Sequence, residues 1–172
     1  MKVLLTSIVF ICLLPFSMAH SQESYELGVG DRIKIAVFEE EDMSFELTVD
    51  DSGVFSYPYL GDIRLVGKTT AQLEGELVSG LKGSVLVKPN ISVSVVEYRT
   101  FSIGGEVNTP GSYPYSPNLT VKQAINIAGG VTDWSNGKRF RLERNKIIPG
   151  EKFNTESFVY PGDTLTILPR RF

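Results

Sequence analysis

Apolar and polar residues alternate in short runs along most of this chain, and the alternation predicts strands. Ile33, Ile35 and Val37 are interleaved with Arg32, Lys34 and Ala36, the period-2 pattern of a half-buried strand. Phe45, Leu47 and Val49 repeat it, and Asp50-Asp51-Ser52-Gly53 then makes a tight turn into a segment over 54–59. A short strand is expected over 63–66, and a clearer one after Pro89, with Ile91, Val93 and Val95 on one face. Phe140 and Leu142 point one way and Arg139, Arg141 and Glu143 the other. Residues 158–167 close the series and echo its start. Gly162-Asp163 precedes Leu165 and Ile167 as Gly30-Asp31 precedes Ile33 and Ile35, a turn followed by an alternating strand.

Two segments switch to a helical period. Over 69–81, Leu73, Leu77 and Leu81 share one face. Thr69 followed three residues later by Gln72 has the spacing of a capping box. Gly80 and Gly83 end the segment, and Gly75 inside it weakens its regularity. Thr120 and Gln123 repeat the capping pattern, Val121, Ala124, Ile125 and Ala128 form the apolar face, and Gly129-Gly130 supplies the stop. This second helix follows a hairpin: a strand over 101–107, a turn at Asn108-Thr109-Pro110-Gly111, and a returning strand over 112–115. The stretch from 101 to 132 therefore reads as one small rigid module that binds or assembles. The fold class is α+β, with two small mixed β-sheet domains and short helices. No Gly/Ser/Pro linker separates Tyr98 from Phe101, so the two parts are expected to be closely joined.

The chain has 172 residues, 42% apolar and 22% charged, which is ordinary for one domain or two small globular ones. Its formal net charge of −3 argues against a general nucleic-acid binder. Residues 1–19 read as a signal peptide. Lys2 is the positive region, residues 3–14 the apolar core (too short to span a bilayer), and Pro15 breaks it. Cleavage is expected after Ala19, with Ala19-His20-Ser21 fitting almost as well. Cys12, the only cysteine, lies in the apolar run and follows Ile11, so a lipid anchor is not expected. The mature chain is then expected to have no disulfide.

His20, the only histidine, sits at the cleavage site. Without Cys and an internal His, the mature chain has no route to a Ser-His-Asp, Cys-His or usual zinc site. No nucleotide-binding glycine loop followed by Lys and Ser or Thr is present. Carboxylates are the remaining enzymatic route, and they cluster in turns at Glu39, Glu40, Glu41 and Asp42, at Asp50 and Asp51, and at Asp62. The run of four reads either as a cation site or an acid/base pair, or as a solvated connection. A glycan-acting enzyme needs two acids held apart across a cleft, one with a raised pKa, and water keeps acids in turns ionised. The expectation is a protein that is not an enzyme and needs no cofactor or metal.

Binding candidates lie elsewhere. Lys138, Arg139, Arg141, Arg144 and Lys146 form a local basic patch, read either as a surface for an anionic polymer or as the solvated face of a strand. Tyr113, Tyr115 and Trp134 are candidates for stacking on sugar rings, and equally for half-buried packing residues with a polar tip.

These residues resemble the outer-membrane polysaccharide export family. YELGVGDRIKIAVF, DDSGVFSYPYLGDIRLVGKT, TAQLEGEL and PNISVSVVE stand in the order of its N-terminal polysaccharide-export domain, here 23–98. IGGEVNTPGSY, LTVKQAINIAGGVT and VYPGDTLTI resemble its SLBB (soluble-ligand-binding β-grasp) domain, here 101–168. Each motif alone is weak; together and in order they are strong. The resemblance implies a β-grasp-like second domain and a homo-oligomeric ring around a periplasmic conduit for capsule, slime or biofilm polysaccharide. It also implies an inner-membrane polysaccharide co-polymerase as partner. Long family members add further β-grasp domains and a C-terminal helix that builds the outer-membrane pore, and many are lipoproteins. The expectation here is a periplasmic component that hands polymer to a separate outer-membrane β-barrel. Arg139, Arg141, Tyr113, Tyr115 and Trp134 are the candidates for lining its path. The alternative is a monomeric periplasmic carbohydrate-binding or adaptor module.

Overall fold

A computed structural model describes residues 25–144 and 153–170. The expected signal peptide with its cleavage positions Ala19 and His20, and Lys146 of the basic patch, lie outside the described residues. The chain is α+β: mixed sheets with two short helices, built around two separate apolar cores.

The first core is organised by β1 (Arg32–Val37), the middle strand of an antiparallel sheet. It pairs with β2 (Phe45–Thr48) on one side and β5 (Ile91–Glu97) on the other. Its Ile33, Ile35 and Val37 face inward and its arginine and lysine outward, as the alternation requires. A hairpin of β3 (Val54–Tyr57) and β4 (Gly61–Arg64) precedes α1 (Thr70–Leu81), which buries Leu73, Leu77 and Leu81. Both halves of the α1 capping box form. The Thr69 hydroxyl accepts from the Gln72 N–H at 3.2 Å, and the Gln72 side chain accepts from the Thr69 N–H at 2.9 Å. Glu74 on α1 accepts from the Val93 N–H at 2.7 Å, so one donor on the open edge of β5 is taken by the protein's own helix.

The segment of four acids differs in part from a plain loop. Glu39 takes a left-handed conformation, and Glu41–Met43 form a 3-10 turn. Met43 anchors that turn in the core, its carbonyl accepting from the Tyr57 hydroxyl at 2.7 Å. The acids themselves stay at the surface.

The second core lies under a four-stranded sheet ordered β7-β6-β9-β8, from β6 (Phe101–Gly105), β7 (Gly111–Tyr113), β8 (Phe140–Glu143) and β9 (Thr164–Ile167). The central pair β6 and β9 is parallel; both outer pairings are antiparallel. Helix α2 (Val121–Ile127) connects β7 to β8 and has its own complete capping box from Thr120 and Gln123. The first strand stops at Gly105 rather than continuing to Val107. Gly105 has φ +78, and the Ile167 carbonyl oxygen sits where a side chain would be. Only glycine holds that backbone position at little cost, and the chain turns there.

Residues 98–100 pass directly from β5 into β6. The Gly162 N–H donates to the Thr100 carbonyl at 3.0 Å, and the rings of Tyr25, Tyr98 and Tyr115 stack edge to face across the junction.

Candidate functional site

Two aspartates are almost completely enclosed, and they are the two that begin the echoed segments. Asp31 accepts from the Gly28 N–H at 2.7 Å and Asp163 from the Tyr160 N–H at 2.8 Å, the same bond three residues back. Each also meets an arginine. Arg99 reaches Asp31 through its own N–H at 2.8 Å and its guanidinium at 3.0 Å, and Arg144 grips both carboxylate oxygens of Asp163 at 2.9–3.2 Å. Each arginine lies over a tyrosine ring, Arg99 over Tyr25 and Arg144 over Tyr160. A charge this deeply buried persists only when paired and hydrogen-bonded, and both are. The Tyr25 hydroxyl completes the first site by donating to Asp31 at 2.5 Å. Burial, then the Asp31 carboxylate, pushes that phenol well above the usual range.

Arg99 also joins the two cores. Its side chain lies against Gly28 and Gly30 of the first and Gly162 of the second. A Cβ at Gly162 would stand 2.8 Å from its Nε. The chemistry of these residues is that of a fixed junction: each carboxylate is paired with an arginine and takes backbone N–H bonds. The signal for it in the sequence was the Gly-Asp echo, which by itself indicates only a turn and a strand. The arginine partners come from distant positions that no local pattern marks.

The five residues singled out in the sequence do not form one cluster. Tyr115 is half-buried beside Tyr98 at the junction, and burial raises its pKa. Tyr113 is on β7, its ring beside Phe101 and its hydroxyl donating to the Thr109 carbonyl at 2.6 Å. Trp134, Arg139 and Arg141 gather at the opposite margin of the same sheet, around β8 and the chain after β9. Arg139 donates to the Pro169 carbonyl at 2.7 Å, and Arg170 donates from its N–H to the Trp134 carbonyl at 2.8 Å. Trp134 is 66% exposed. Arg141 points outward with a loose ion pair to Glu143 at 3.9 Å. Arg144, read with this patch, turns inward to Asp163 instead. Its side chain has the apolar stem and planar head that suit a paired, half-covered site.

Among the described residues no three His, Cys, Asp or Glu side chains converge as metal ligands. No helix among them is long and apolar enough to cross a membrane.

The profile of polysaccharide biosynthesis/export proteins matches residues 19–96, and that of the SLBB domain matches residues 100–152. Among curated proteins, the chain is similar to the exopolysaccharide production protein ExoF of Rhizobium meliloti (strain 1021). The two are 38% identical over 138 residues, covering 72% of this chain and 32% of that protein. It is also similar to the EPS I polysaccharide export outer membrane protein EpsA of Ralstonia nicotianae, at 28% identity over 147 residues, 70% of this chain and 38% of that one. The chain thus spans about a third of the length of the curated relatives it matches. The two profiles follow one another in the same order as the two cores, and the chain belongs to the polysaccharide export protein family, with an export domain followed by an SLBB domain.

Proposed function

We propose that this chain is a cell-envelope component of a polysaccharide export machine, acting in the periplasm as part of an oligomeric conduit through which exopolysaccharide passes toward the outer membrane. The observation that carries this reading is the succession of an export domain and an SLBB domain on two cores joined without a flexible linker. The strand order β7-β6-β9-β8 with its parallel centre supports reading the second sheet as a β-grasp.

The role is passive. The protein offers surfaces rather than reacting groups, and synthesis at the inner membrane drives the polymer. An inner-membrane polysaccharide co-polymerase and a separate outer-membrane β-barrel are the partners this reading requires. Because Glu74 occupies a donor on the open edge of β5, a ring would be built through sheet faces and other edges rather than by strand addition at Val93.

Light scattering on the mature chain, alone and with the periplasmic part of a co-polymerase, tests the reading. A discrete oligomer in either sample supports the conduit. A monomer in both shifts the reading to a carbohydrate-binding or adaptor module, the second candidate, which the exposed Trp134 ring equally suits.

A further inference from the structure

The second sheet has one covered and one open face. Phe101, Ile103, Leu142, Leu165 and Ile167 all point to the core side and are buried. The residues between them share the opposite face, and the strand register sets them in rows. Ser112 stands opposite Ser102, and Ser102 beside Thr164; Gly104 lies beside Thr166, and Thr166 opposite Arg141. None of these residues is buried. The Ser102 and Ser112 hydroxyls lie 3.1 Å apart, and a side chain built at Gly104 would meet nothing within 4 Å. The face is therefore low and lined by hydroxyls, with Arg141 and Glu143 along its β8 margin, Glu143 opposite Thr164.

Two properties of this face identify what it fits. Small hydroxyls on an open sheet face offer paired donors and acceptors to a chain of sugar hydroxyls, with no bulky side chain in the way. The margin carries two arginines, Arg139 and Arg141, against one glutamate, Glu143, on a chain whose net charge is −3, so it runs against the overall charge. Arg139 is tied to Pro169, but Arg141 is 67% exposed, and among the described residues its ion pair is with Glu143 at 3.9 Å. An exposed ion pair of that length contributes less than about 1 kcal/mol. A carboxylate brought along the platform can displace Glu143 and take the guanidinium in the bidentate geometry that Arg favours.

We infer that the open face of the second sheet, Ser102, Ser112, Thr164 and Thr166 with Arg139 and Arg141 at its margin, contacts the exported polymer, and that this polymer is an acidic polysaccharide. The inference rests on the export reading and adds the charge class of its cargo and the surface that meets it.

Titration calorimetry of the full mature chain with alginate oligosaccharides, a polyuronate, and with neutral dextran oligosaccharides of equal length tests it. The expected result is binding to alginate that weakens as salt is raised and that exceeds binding to dextran at least tenfold. Arg141→Ala should lower alginate affinity about tenfold, and Glu143→Gln, which removes the competing carboxylate, should raise it. Neither exposed substitution should change the melting temperature. Equal binding of the two glycans, or an Arg141→Ala protein that binds alginate as the wild type does, overturns the inference. An Arg141→Glu protein whose oligomeric mass changes while alginate binding does not also overturns it and assigns the face to a second copy of the chain. Polymer secretion by a deletion strain, with and without the restored gene, separates the two levels. Restored secretion alongside failed alginate binding leaves the export reading standing and removes only this inference. Secretion unaffected by the deletion removes both.

Discussion

Asp31 shows how one side chain can hold two cores together. Its carboxylate accepts from Tyr25, from the Gly28 N–H and from both the backbone and the guanidinium of Arg99, and it has no exposed surface. Asp31→Ala strands a partly covered guanidinium and three further donors, the Tyr25 hydroxyl and the Gly28 and Arg99 N–H groups. Removing one partner of a buried pair costs about 3–5 kcal/mol, so the urea midpoint should fall by that equivalent. Because Arg99 also packs on Gly162, the two cores should then come apart as separate transitions. A single transition of unchanged midpoint would show that the junction carries no stability. Arg141→Ala on the open face should by contrast leave the midpoint within about 0.5 kcal/mol of the wild type, as exposed substitutions do.

At the scale of the element, the capping boxes and one glycine set where chain segments end. Helix α2 has seven residues, too short to be stable from propensity alone, so its cap and buried face must supply the rest. Thr120→Ala removes an acceptor for the Gln123 N–H and should cost about 1 kcal/mol, read as a lower melting temperature. The adjacent glycines of β6 occupy two different settings in one strand. At Gly105 the backbone has φ +78 and the Ile167 carbonyl fills the side-chain position, so Gly105→Ala should destabilise by more than about 1–3 kcal/mol and weaken the β6–β9 pairing. At Gly104 space is open, and alanine there should be neutral or raise stability by up to about 1 kcal/mol through the unfolded chain. Comparing the two melting curves checks both.

For the whole molecule, phenols govern the behaviour in alkali. Burial raises the pKa of Tyr25, Tyr57 and Tyr115, with the Asp31 carboxylate adding to the effect at Tyr25. In the unfolded chain these groups ionise near 10, while in the folded protein they keep their protons to higher pH. The unfolded state therefore binds fewer protons above pH 10, and the stability these groups contribute, intact below that pH, is lost as pH rises toward their folded values. Absorbance at 295 nm should show part of the seven tyrosines ionising late and together with unfolding. Seven phenols titrating as one simple curve near 10 in the folded protein would contradict the packing at the junction.

The strands, both helices and both capping boxes were legible in the sequence because each depends on residues within a few positions of one another. Alternation places Arg139, Arg141 and Glu143 on one side of β8, and Thr-x-x-Gln places the helix starts, before any tertiary contact exists. The family resemblance was legible for the same reason, as a series of short local motifs in order. Tertiary structure decided the pairings between distant positions. Arg99 meets Asp31 across 68 residues, Arg144 turns from the basic patch to Asp163, and β6 joins β9 in parallel. It also decided that Tyr113 and Tyr115 pack within the protein while Trp134 stays exposed. An aromatic ring serves a core or a ligand surface with the same chemistry, so only its surroundings distinguish the two. The open hydroxyl face is the clearest case: its serines come from the β6–β7 hairpin and its threonines from β9, some sixty residues on, and only the sheet register makes them one surface.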